Sequence, residues 1–261
     1  MKQFFIFLTV LIAQIAKAQT VVKPGSETFL LGGKTETVAI KAGLPFGKLQ
    51  LFYWGNNKAY FKLKYISGTN SKNMGFADDT LTILNNQAIY HSKEDSSCKL
   101  VFTIEQNAVN IEQVSKPGSF ACGFGRNVFV DGKYSKVVDA QKAKIALGKH
   151  PLSLQWIGWE QPGTALITDL GNGLYQIKGQ QQAKTGSDFL RIDGLLQVVS
   201  ERELLFNGTI ENKVSFNNKG ASCLRKGIFH FKAASGKKYW RLQEMQNCEG
   251  GMVVDYVDLY Y

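Results

Sequence analysis

The chain has 261 residues, 44% of them hydrophobic, which supplies packed cores and excludes a disordered protein. The formal charge is +10, yet the halves 19–140 and 141–261 each carry an excess of four positive charges and no run of five basic residues occurs. A charge spread in this way excludes a nucleic-acid tract and leaves a mild bias toward anionic partners such as cell envelopes, acidic glycans or acidic proteins.

The chain opens with Lys2, an apolar run from Phe4 through Ala13, and small residues at Ala16 and Ala18. This is the pattern of a secretory signal peptide spanning residues 1–18. The apolar run is too short to cross a bilayer, which needs ~20 residues, and no later stretch reaches that length. The mature protein is therefore expected to be exported, not membrane-spanning, and soluble in the periplasm or outside the cell.

Short alternating segments follow. In the first half, strands are predicted at Thr28–Leu31, Thr37–Lys41, Lys48–Trp54, Lys58–Ser67, Thr80–Leu84, Gln87–His91, Cys98–Glu105, Ala108–Val114 and Asn127–Val130. Turn signals between them include Gly55-Asn56-Asn57, Asn85-Asn86 and Asp131-Gly132. Helical character occurs only in Val138–Leu147, read as a short helix or linker that ends at Gly148-Lys149-His150-Pro151. In the second half, strands are predicted at Leu152–Trp159, Ala165–Thr168, Leu174–Lys178, Phe189–Val199, Glu203–Phe206, Lys213–Phe216, Gly227–Lys232, Tyr239–Met245 and Met252–Tyr260. Asn207-Gly208-Thr209 matches a glycosylation acceptor but reads as a turn. The fold expectation is all-β: two antiparallel barrels or sandwiches, residues 19–138 and 152–261, joined by residues 139–151.

Four cysteines sit at 98, 122, 223 and 248. Export favours disulfides, and four cysteines allow three connectivities. The local pairing Cys98–Cys122 and Cys223–Cys248 is preferred because it keeps each link inside one expected domain. Each link closes a loop worth roughly 3.5 kcal/mol on the chain-entropy scale. Neither pair has the short spacing of a zinc site, so no metal or other cofactor is expected.

The stretch Thr80–Tyr134 carries Leu81-Thr82-Ile83-Leu84-Asn85-Asn86-Gln87-Ala88-Ile89-Tyr90, Cys98-Lys99-Leu100-Val101-Phe102-Thr103-Ile104, and Cys122-Gly123-Phe124-Gly125 followed by Asp131-Gly132-Lys133-Tyr134. It resembles a group of uncharacterised exported bacterial β-domains linked by a cystine. The resemblance implies that architecture and no activity. The exported lysozyme inhibitors are an analogy of shape alone, since Ser67-Gly68-Thr69-Asn70 is a poor substitute for their inhibitory loop.

Chemistry is sparse. His91, His150 and His230 show no metal-ligand spacing, and no G-x-S-x-G elbow, Walker loop or G-x-G-x-x-G occurs. The close carboxylates Asp78-Asp79, Glu201/Glu203 and Asp255/Asp258 are not placed as a glycosidase pair, and the last two fall on opposite strand faces. Aromatic residues carry more. Trp156 and Trp159, three apart, should point to opposite faces, as should Tyr239 and Trp240, around which Lys237, Lys238 and Arg241 could hold an anionic group. Trp156, Trp159, Lys238, Tyr239, Trp240 and Arg241 are therefore the candidate binding residues. The expected function is an exported non-enzymatic binding module that contacts a protein or glycan, with an inhibitor as one version. A carrier of a small apolar ligand in a barrel and a hydrolase with a dispersed site are the alternatives.

Overall fold

A computed structural model describes residues 23–68, 72–115, 121–126, 128–138 and 143–261. The expected signal peptide and residues 139–142 of the expected linker lie outside the described residues. The first eight strands are β1 (Gly25–Leu31), β2 (Phe46–Gly55), β3 (Lys58–Ile66), β4 (Met74–Thr82), β5 (Gln87–His91), β6 (Lys99–Ile104), β7 (Ala108–Val114) and β8 (Gly132–Val137). They form one antiparallel sheet in the order β4-β3-β2-β1-β8-β7-β6-β5, a barrel-like meander left open between β4 and β5. The next eight are β9 (Gly148–Leu154), β10 (Gly163–Gly171), β11 (Leu174–Gln182), β12 (Phe189–Ser200), β13 (Glu203–Lys213), β14 (Cys223–Lys232), β15 (Tyr239–Leu242) and β16 (Val257–Tyr260). These close into a barrel, β16 pairing back onto β9.

Alternation puts one parity of each strand inside. Leu49, Leu51 and Tyr53 of β2, with Phe61 and Leu63 of β3, fill the first barrel. Leu204, Phe206 and Ile210 of β13, with Phe229 and Phe231 of β14, fill the second. Each barrel holds one disulfide, Cys98–Cys122 with Cα atoms 5.2 Å apart and Cys223–Cys248 with 5.4 Å. The all-β class and the local pairing are as expected.

The details depart from the sequence reading in several places. Thr37–Lys41 lies in a helix, α1 (Glu36–Lys41), not a strand. Glu36 in its first turn and Lys41 in its last complement the helix dipole, and Gly43 at φ +65° ends it. Its Ala39 is buried among Leu30, Phe46 and Ile66, whose parity faces away from the lumen, so the helix covers the outer face of β1, β2 and β3. Residues 128–130 are not strand; the last strand of that barrel falls at β8 instead. Asn207-Gly208 is no turn, because β13 runs through it from Glu203 to Lys213, and residues 214–216 of the predicted Lys213–Phe216 strand form a turn instead. Gly208 pairs with Gly194 and Gly227, and a Cβ at Gly194 or Gly208 would meet the Phe206 ring at 2.7 Å, so glycine there makes room for that ring in the lumen. Finally, β9 begins at Gly148, which puts His150 and Pro151 in the second barrel, and it stops at Leu154. The Ile157 and Gly158 N–H groups both bond to the Leu154 carbonyl, so Trp156 and Trp159 sit on a loop, not a strand.

The barrels meet through outer faces. Phe52 and Trp54 of β2 and Tyr60 of β3 pack on Leu174 of β11 and Leu205 of β13.

Candidate functional site

Two linked polar arrangements stand out. One lies at the disulfide-bearing end of the second barrel. Strand parity turns Gln181 of β11, Asn212 of β13 and Arg225 of β14 inward, on the same side as Ile177, Ile210 and Phe229. Asp255, just before β16, is 1% exposed and gathers the last two. Its carboxylate accepts the Asn212 amide at 2.7 Å and the Trp156 indole N–H at 3.0 Å, with Arg225 at 3.6 Å. Arg225 donates further to the carbonyls of Glu244 at 2.6 Å and Gln246 at 2.8 Å. Burial lowers the Arg225 guanidinium from its ordinary value, and the Asp255 charge opposes that shift.

Gln181 fixes the loop beside this hub. Its carbonyl accepts the Leu154 N–H at 2.7 Å, and its amide donates to the Gly158 and Gln161 carbonyls at 2.8 and 2.9 Å. Gln155 donates to the Val254 carbonyl at 2.9 Å. The loop 155–161 is thus tied down by buried polar side chains on both flanks. On its outside Trp159 is 47% exposed, and Trp156 meets Phe216, itself 64% exposed, edge to face at 5.9 Å between centroids.

The other arrangement crosses between the barrels. His230 of β14 faces the Glu244 carboxylate with Nδ1 at 2.6 Å and the Tyr60 hydroxyl with Nε2 at 2.8 Å. Tyr60 donates its hydroxyl proton to Asp78 of β4. Burial, then the bond to Asp78, raises the Tyr60 phenol far above its ordinary range, so it stays protonated. Beside this row Lys62 bonds Glu203 at 2.5 Å and the Gln197 amide donates to the Tyr53 carbonyl at 2.8 Å. A histidine beside a hydroxyl invites a nucleophile reading. Here the hydroxyl is buried between two sheets and held by a carboxylate, which makes the row a joint.

The candidate residues named from sequence do not form one surface. Trp240 is 7% exposed, its indole N–H donating to the Glu201 carbonyl at 3.1 Å, so it belongs to the core and not to a contact face. Arg241 is committed to Asp258 by two 2.7 Å hydrogen bonds and lies over the Tyr239 and Tyr256 rings. Tyr239 is half-buried against Tyr260, and Lys238 is exposed. Trp156 and Trp159 share the tied loop. The sequence reading missed Phe216, Asp255 as a hub, Asn212 and Arg225. The signal for the last two was available: both are polar at inward parity on otherwise apolar strands. Among the described residues no cluster of three or more His, Cys, Asp or Glu could hold a metal, and no helix is long and apolar enough to cross a membrane.

Comparison with known proteins gives one family. The model of the PM1083 family matches residues 134–261, from within β8 to the C-terminal residue of the chain. The uncharacterized protein PM1083 of Pasteurella multocida (strain Pm70) is 40% identical over 116 residues, covering 44% of this chain and 72% of that protein. No solved structure matches.

Proposed function

The chain belongs to the PM1083 family, and from that premise we propose that it is an exported, non-enzymatic binding protein that engages a glycan or protein partner through the disulfide-bearing end of its second barrel. One observation carries this reading. The buried polar side chains of that barrel, Gln181, Asn212, Arg225 and Asp255, fix the loop that bears Trp156 and Trp159, while Trp159, and Phe216 against Trp156, stay open to solvent. A contact surface held rigid before its partner arrives loses little entropy on binding.

Export is supported by the reading of residues 1–18 and by two formed disulfides, which persist outside the cytosol. A carrier draws less support, because Leu154, Phe206, Phe231 and Leu259 fill the lumen of the closed barrel. A hydrolase draws less still, because the best histidine–hydroxyl pair is buried in the joint between the barrels.

The test uses the mature protein against a glycan array and in pull-downs from envelope extract. Trp159→Ala and Phe216→Ala should each weaken the strongest interaction at least tenfold while leaving the melting temperature unchanged. Unchanged affinity in both variants rejects the surface. A ligand captured by the array identifies a glycan, and one captured only from extract identifies a protein.

A further inference from the structure

A cleft of about 500 Å³ separates the two barrels, with one wall from each. The first wall is the outer face of β1 and β2, where Thr28 lies opposite Gln50 in register and Lys48 follows two residues earlier on β2. The second wall is the β12–β13 turn, with Ser200, Glu201 and Arg202. Phe52 and Val199 add apolar lining between them.

The cations of this region divide sharply. Lys62 bonds Glu203 at 2.5 Å, Lys64 bonds Glu36 at 2.9 Å and Lys136 bonds Glu27. Lys48 and Arg202 have no ion-pair partner among the described residues, and both line the cleft. Among the described residues Glu201 is the one carboxylate in the lining, against the two cations Lys48 and Arg202. The walls are held in place by contacts at their margin, Lys62 to Glu203 and the Gln197 amide to the Tyr53 carbonyl.

We propose that this cleft binds a carboxylated saccharide. Two unpaired cations on opposite walls suit a carboxylate. The Thr28 and Ser200 hydroxyls and the Gln50 amide suit sugar hydroxyls, and the half-buried Val199 suits the C–H edge of a ring. The volume lies within the range of small-molecule sites, ~300–1,000 Å³, and exceeds what a simple inorganic anion fills. The inference stands independently of the aromatic end of the second barrel, because no residue is shared.

The experiment is calorimetric titration of the mature protein with trigalacturonate and with its methyl ester, which keeps the sugar and removes the charge. The acid is expected to bind, with the ester at least tenfold weaker. Lys48→Gln and Arg202→Gln should each weaken the acid about tenfold without changing the melting temperature, and Trp159→Ala should leave it unchanged. Equal binding of acid and ester, or wild-type affinity in both charge variants, overturns the proposal. So does loss of acid binding in Trp159→Ala, which moves the site to the barrel end. Failure of trigalacturonate and of a sialic-acid trisaccharide to bind also overturns it.

Discussion

The two barrels run the same eight-strand meander and place their disulfides alike. Cys98 and Cys223 each sit at the start of the sixth strand of their barrel, and Cys122 and Cys248 each lie between the seventh and the eighth. They differ in how they close. The second completes its hydrogen-bond ladder, whereas the first leaves β4 and β5 unpaired. At that gap the segment after Cys122 does the closing. Gly125 donates its N–H to the Met74 carbonyl, the Asn73 amide donates to the Arg126 carbonyl, and a Cβ at Gly75 would meet Val128 at 2.9 Å and Phe124 at 3.0 Å. The same cystine position thus anchors a plug in one barrel and borders a polar, loop-fixing hub in the other. A shared topology leaves the loops free to specialise, and the hub belongs to the barrel spanned by the family match.

The largest expected effect tests the hub. Asp255→Ala leaves Arg225 buried without its carboxylate and should destabilise the second barrel by about 3–5 kcal/mol, read from urea unfolding. If the loss is under 1 kcal/mol, the hub contributes little and the contrast between the barrels weakens. Next comes the plug. Replacing Cys98 and Cys122 by Ala should cost roughly 3.5 kcal/mol and raise amide exchange along β4 and β5. The Cys223/Cys248 double variant should spare exchange in the β9–β16 ladder. Equal exchange patterns from the two variants would refute the idea that one cystine closes a seam and the other does not.

The smallest effect is on pH. Burial pushes the Glu244 carboxyl up, but hydrogen bonds from the His230 ring and backbone N–H outweigh it and hold it below its ordinary 4.5. Ionised Glu244 therefore adds stability that is fully present above pH 4.5 and fades as the pH falls through the lowered value. Docking of the barrels should loosen below pH 4.5 in scattering or exchange measurements, and Glu244→Gln should flatten that acid limb.

Strand rhythm and turn residues were enough to read the β class, and cysteine spacing the pairing, because both depend on neighbours along the chain. Gln87–His91 and Ala108–Val114 fall where alternation puts them. What the sequence could not convey depends on distant partners. Alternation says that Tyr239 and Trp240 face opposite ways, but only closure of the barrel makes the Trp240 side the core. Asn207-Gly208 carries turn chemistry, yet its tertiary job is to clear space for Phe206. The contact between His230 and Tyr60 joins residues 170 apart, and the hub around Asp255 draws on two strands and a loop. Such meetings leave no local trace except a polar side chain at a position whose parity should be apolar.

The imidazole that bridges the barrels also supplies a built-in probe. One nitrogen of His230 is engaged by its own barrel and the other by a phenol from the opposite one, so the far-downfield ring N–H signals in a proton spectrum carry two separate messages. A signal at the Nε2 side that vanishes while the Nδ1 side persists reports separation of the halves before either has melted, without a label or an engineered chromophore.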